Sequence, residues 1–198
     1  MRQEVARHES FVESGSLFGR LELAQKRRLL DAFQAFRDTK GSVLDIGMAA
    51  DSSAVMPVLT ELDHTLAGAV TIHRTDTADG ARSRNKVTGS FMLPYRNGEF
   101  DWACSSSVIE HLGNAERQFG LVREMARVAK KGIFLATPNR LHPLNFAGVP
   151  RAQMLRAQDL YRFAGLLPGK PAYDVGHKRL LGIKAHFFLM VLKGSAEG

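Results

Sequence analysis

Apolar and polar positions along the chain fall into blocks, and the period of each block predicts an element. Between residues 16 and 36, "SLFGRLELAQKRRLLDAFQAF" places Leu17, Leu21, Leu29, Leu30, Phe33 and Phe36 at spacings that suit one helix face. Thr39-Lys40-Gly41 then supplies the cation and the glycine that favour a helix end. The β-branched run "SVLDIG" reads as a buried strand. "AVMPVLTEL" suits a short helix capped by Ser52 or Ser53, with Pro57 in its first turn.

A second strand is predicted at "AGAVTIHRT", a polar loop at "DTADGARSRN", and a third short strand around "KVTGSF". "EFDWACSSS" gives a fourth strand between the turn "RNGE" and a serine cluster. The clearest helix is "NAERQFGLVREMARVAKKG". Asn114 caps it, Glu116 lies in its first turn, Phe119, Val122, Met125, Val128 and Ala129 form its apolar stripe, and Lys130-Lys131-Gly132 closes it. "GIFLATP" is a fifth strand, "RAQMLRAQDLYRFAGLL" a further helix, and "AHFFLMVLK" an apolar closing strand.

Strands alternating with helices predict a parallel sheet covered on both faces. Right-handed crossovers place the loops after each strand along one edge of that sheet, where ligands bind at the point of strand-order reversal. The residues that follow the first five strands are therefore the candidates for chemistry.

Composition agrees with one globular domain. The chain has 198 residues, 44% hydrophobic and 24% charged, and no apolar run approaches a membrane span. No apolar stretch near residue 1 reads as a signal peptide, and a single cysteine, Cys104, suits a reducing compartment, so a cytoplasmic location is expected. Charge sharpens the picture. Of the net +7, +6 falls in residues 139–198, which hold nine Lys/Arg against three Asp/Glu. Such a tail suits nucleic acid, anionic lipid or a phosphorylated small molecule, or equally a solvated surface with surplus arginine, and no aromatic-basic RNA-binding motif accompanies it.

Asp45-Ile46-Gly47 at the end of the first strand has the form of a loop that opens a cofactor pocket, with Gly47 allowing close backbone approach. Further on stand Leu93-Pro94-Tyr95, Glu99-Phe100-Asp101, Ser105-Ser106-Ser107, Glu110-His111-Leu112 and Thr137-Pro138-Asn139. In this order and spacing, with "VLDIG" upstream, they resemble the class I S-adenosylmethionine-dependent methyltransferases, in particular the type 11 methyltransferase domain. The resemblance covers roughly residues 41–140.

It implies a Rossmann-like three-layer α/β sandwich with a mostly parallel, seven-stranded-type sheet. It implies a single domain over 1–198: an N-terminal helical lid (1–40), a cofactor-binding core (41–140), and an acceptor-side helix with closing strands (141–198). S-adenosylmethionine is the implied cofactor. The loop from Gly47 through Met48 and Ala49 to Ser52 would run beside its amino-acid part, and Asp45 would orient the loop amides or face a cationic ligand. Asp76 would reach its ribose, Ser90, Phe91 and Met92 would flank its adenine, and Ser105 and Ser106 would floor the pocket near the methyl group. His111 or His142 would take a proton from the acceptor, and His142, Asn145, Arg151, Tyr161 and the basic run His177-Lys178-Arg179 are candidate acceptor contacts.

The chain departs from the family pattern in three places. Met48, Ala49 and Asp51 stand where small residues or glycines are usual. His73 and Arg74 lie near the usual acidic position, with Asp76 the nearest carboxylate, and Ser90 replaces a common Asp. Relatives that hold a divalent metal use Glu-x-x-Glu-His. Here Ser107 takes the place of the first carboxylate, so no metal is expected. Three functions stay open on these residues: a methyltransferase acting on a small, anionic molecule, a catalytically inactive methyltransferase-like binding or partner subunit, and a basic RNA-associated protein of the same fold.

Overall fold

The computed structural model describes residues 31–33, 36, 41–47, 70–76, 92–143, 150, 153–180 and 182–193. The strands are β1 (Gly41–Gly47), β2 (Val70–Asp76), β3 (Phe100–Ser106), β4 (Ala129–Pro138), β5 (Ala172–Leu180) and β6 (Ile183–Leu192), and the helices are α1 (Ala115–Val128) and α2 (Ala157–Gly165). A short 3-10 turn, Ile109–His111, lies between β3 and α1.

The six strands lie in the order β2-β1-β3-β4-β6-β5. The first four run parallel, and β6 is antiparallel to both of its neighbours. This is the expected Rossmann-like, mostly parallel sheet, with six strands among the described residues. The predicted strand at "KVTGSF" and helix at "AVMPVLTEL" lie outside them. The chain leaves β1 toward β2 on one side and returns to β3 on the other, so the strand order reverses between β1 and β3.

Both faces are covered. Leu44, Ile46, Ala103, Ile133, Leu135, Leu189 and Val191 pack with Leu121, Val122, Met125 and Val128 of α1 and Leu160 and Phe163 of α2. The other face carries Val43, Trp102, Cys104, Phe134 and Phe188 under Phe33. Phe33 and Phe36 come from the helical residues described near the N-terminus, and their rings meet Phe134 and Trp102 with centroids 5.4 and 5.2 Å apart. The rest of the predicted N-terminal helix lies outside the described residues.

Two predicted boundaries move. Helix α1 is capped by Asn114, whose Oδ1 accepts from Arg117 N at 2.9 Å, as its sequence indicates, but it ends at Val128. Lys130, Lys131 and Gly132 belong to β4, which starts immediately. Gly132 serves close approach and not helix termination: a Cβ there would meet the Val191 carbonyl oxygen and lie 2.8 Å from the Trp102 ring. Helix α2 begins at Ala157, six residues later than the start of its predicted span, because Asp159 reaches back to accept the Arg156 amide at 2.8 Å.

Asp101 and Cys104 take the structural places their positions suggest. Asp101 accepts from the Ser42 amide (2.8 Å) and hydroxyl (3.1 Å), while its own amide donates to that hydroxyl at 3.0 Å, clamping β3 to the start of β1. Cys104 is buried in the core.

The turn before β3 is held by a buried carboxylate. Glu124 of α1 accepts from the Leu93 amide (2.9 Å) and from Arg127 Nε and Nη2 (2.9 and 2.7 Å), while Arg127 donates to the Leu93 and Tyr95 carbonyls. Burial pushes the Glu124 carboxyl up, but the Arg127 and Leu93 hydrogen bonds outweigh it and hold it below the usual range. Glu124→Ala is expected to cost about 2 kcal/mol, because it strands a buried amide and a guanidinium. A carboxyl held low in the folded state stabilises above its unfolded pKa and loses that contribution as pH falls. The gap between wild type and variant, measured by urea unfolding, should therefore shrink below pH 4.5. A gap that widens in acid overturns this account.

Candidate cofactor and acceptor site

The carboxyl ends of β1, β2, β3 and β4 and the start of β6 form one edge. In register, Gly47 stands beside Asp76, and Ile46 beside Ser105. His73 and Arg74 pair lower down, with Leu44 and Asp45. Asp76 thus ends β2 level with Gly47.

The predicted residues fall into distinct roles. Asp45 is buried, with Cys104 Sγ 3.7 Å from its Oδ1. Ser105 donates its hydroxyl to the Ile46 carbonyl at 3.0 Å and so ties β3 to β1 at the point of reversal. Ser106 points to the other face. Its hydroxyl is buried and has no hydrogen-bond partner among the described residues. Met92 is exposed, next to the anchored Leu93. Met48, Ala49, Ser90, Phe91, Asn145 and Arg151 lie outside the described residues.

Ser107, at φ +56°, turns the chain sharply off β3 and donates its amide to the Ala136 carbonyl at 3.0 Å. The 3-10 turn that follows carries Glu110 and His111. Burial lowers the pKa of His111, which keeps it neutral at neutral pH. Glu110 is completely buried. Thr137 Oγ1 at the end of β4 donates to its Oε2 at 3.2 Å, and its Oε1 has no partner among the described residues. Burial pushes this carboxyl up to about 7.

Beyond β4, the Asn139 amide donates to the Ala185 carbonyl (2.8 Å) and its side chain to the Lys184 carbonyl (2.7 Å), while the His142 amide donates to the Asn139 carbonyl (3.0 Å). The turn is thereby fastened to the start of β6, and His142 and His186 are both buried there. Burial, and to a lesser degree the neighbouring His142, pushes His186 down to about 4. His186 escaped the sequence reading. Its only signal is one imidazole inside the apolar run "AHFFLMVLK". Lys178 lies opposite His186, so part of the basic run does reach this edge. Tyr161 does not: it packs on Tyr173, which pairs with Val191 toward the opposite end of the sheet. Among the described residues no three His, Cys, Asp or Glu groups come together as a metal site. No helix among them is long and apolar enough to cross a membrane.

Residues 46–137 match the sequence profile of the type 11 methyltransferase domain family. That segment, just under half of the chain, is similar to the class I S-adenosylmethionine-dependent methyltransferases. Solved members share its fold at low identity. One is a methyltransferase from Aquifex aeolicus (TM-score 0.55, 17% identity), which aligns over 92% of this chain and 97% of that one. Another is a Thermotoga maritima protein described as a possible histamine N-methyltransferase (TM-score 0.53, 14% identity; 92% and 98%). The small RNA methyltransferase HEN1 aligns over 87% of this chain but only 25% of its own length (TM-score 0.52, 13% identity). No curated protein matches by sequence.

Proposed function

We propose that the protein transfers a methyl group from S-adenosylmethionine to a small, anionic acceptor, with the cofactor over the ends of β1, β2 and β3 and the acceptor over β3, β4 and β6. The observation that carries this reading is the side-by-side placement of Gly47 and Asp76 at the strand-order reversal. The residues suit the cofactor. A glycine admits it close to the backbone, a carboxylate beside that glycine accepts two ribose hydroxyls, and the buried Ser106 hydroxyl lacks a partner among the described residues.

In this reading residues 1–40 form a lid, 41–140 hold the cofactor and 141–198 hold the acceptor. Asp45, Met48 and Ala49 line the cofactor's amino-acid part, Ser90, Phe91 and Met92 its adenine, and Ser105 fixes the floor by joining β3 to β1. When bound, the cofactor supplies an electrophilic methyl group on a cationic sulfur. The chain contributes position: an acceptor held in line with that methyl gains most of its rate from orientation. In this reading His111, kept neutral by burial, or His142 takes the acceptor's proton. The +6 charge of residues 139–198 favours an anionic acceptor.

Calorimetric titration with S-adenosylmethionine and S-adenosylhomocysteine tests the reading, with saturable binding expected for both. Absence of heat at millimolar cofactor overturns it in favour of a non-catalytic methyltransferase-like subunit, the reading that Ala49 and Asp51 in the cofactor loop would support. Gly47→Trp should weaken binding at least tenfold, about 1.4 kcal/mol. An unchanged affinity in a folded Gly47→Trp protein would move the pocket elsewhere.

A further inference from the structure

Among the described residues β5 is the outermost strand of the sheet, with β6 on one side. Its nine residues, Ala172–Leu180, contain no proline, and the irregularity near Lys178 falls in β6, where Ala185 is passed over. A strand of this length presents a row of N–H and C=O groups along its outer edge, a template for another strand.

Edge strands are commonly blunted by charge of one sign. Here the charges oppose. Asp174 lies near the start and Lys178 near the end, on one face by strand alternation, and neither forms an ion pair among the described residues. An antiparallel copy of the same strand reverses that order. With Gly176 opposite the second copy's Gly176, Asp174 stands opposite Lys178 of the copy, and two-fold symmetry makes the pair twice. Moving the centre by two residues puts Asp174 against Asp174 or Lys178 against Lys178. Only the register centred on Gly176 matches both charges, and the glycine leaves the symmetry axis free of side chains. The half-exposed Tyr173 then faces the second copy's Arg179 across the other face of the sheet.

We infer that the protein forms a two-fold dimer through antiparallel pairing of β5 with β5 of a second copy, centred on Gly176, so that one sheet runs through both molecules. The interface lies at the far edge from β1 and β2 and stands independently of the cofactor reading.

Light scattering on the full chain at micromolar concentration should give twice the monomer mass. Asp174→Lys and Lys178→Asp, made singly, should each weaken association at least tenfold, because each places like charges opposite one another. The double variant, Asp174→Lys with Lys178→Asp, should restore it. A monomeric wild type, or a folded double variant no better associated than either single one, overturns the proposal. Gly176→Cys provides a measurement that leaves every charge in place. The chain's one native cysteine is buried, so mild oxidation should link two copies through residue 176. Ala172→Cys should not link, since its two copies lie about 27 Å apart at ~3.4 Å per residue. Linking through 172 and not 176 would also overturn the register.

Discussion

Gly132→Ala is expected to remove a large share of the stability of the fold. Gly132 sits in β4 between Trp102 of β3 and Leu192 of β6. An added methyl group would fall on the Val191 carbonyl oxygen, 2.8 Å from Trp102 Cζ3 and 3.3 Å from Phe36 Cζ. The carbonyl belongs to the backbone of a paired strand, so no side-chain rotation relieves the clash. The sheet must part or the indole must leave the core. Overpacking of a core costs about 1–3 kcal/mol when side chains can adjust. With backbone as the obstacle, a cost beyond 4 kcal/mol is expected, against a total of about 5–15 kcal/mol for a domain. Urea unfolding followed by circular dichroism measures it. A variant within 1 kcal/mol of wild type would mean that β4 and β6 pair in another register.

That glycine also shows where the sequence can and cannot be read. Lys130-Lys131-Gly132 has the composition of a helix end, and a helix does end nearby, at Val128. The two lysines between the apolar stripe of α1 and the apolar run of β4 suit a helix end as well as a strand start, so periodicity alone cannot locate the join. What fixes it is the close approach of two strands, one of them sixty residues away in sequence.

The central strands were legible because their residues are buried and β-branched or apolar. β5 was not, since "AYDVGHKRL" is half polar, interrupted by Gly176, and exposed at an edge where no core enforces alternation. The site divides in the same way. Gly47, Ser105 and Ser106 follow strands end to end and could be placed by topology. His186 enters from an antiparallel strand that arrives late in the chain. Its pairing with Pro138 and the hydrogen bonds from Asn139 to Lys184 and Ala185 bring it to the turn that carries His142.

Glu110 was visible as part of a motif, but its environment was not, and that environment yields the second large effect. Its carboxyl is wholly buried between the 3-10 turn and the end of β4, with one hydrogen bond from Thr137. Burial raises its pKa from 4.5 to about 7. Between those values the unfolded chain has released the proton while the folded chain retains it. Stability therefore falls as pH rises from 4.5 to about 7 and stays low above that. At ~1.4 kcal/mol per pKa unit the whole loss is about 3 kcal/mol. Glu110→Gln keeps the shape and an acceptor for Thr137 but cannot ionise. It should match wild type near pH 4.5 and exceed it by about 3 kcal/mol at pH 8, as read by urea midpoints at the two values. Parallel pH profiles for the two proteins would show that Glu110 ionises normally in the fold. Because Glu110 precedes His111 in the same 3-10 turn, the desolvation cost of its ionised carboxyl would also loosen the turn that carries the candidate base, against the hold of the Thr137 hydroxyl. The Gln variant should hold that turn in place through pH 8, where wild type begins to lose it.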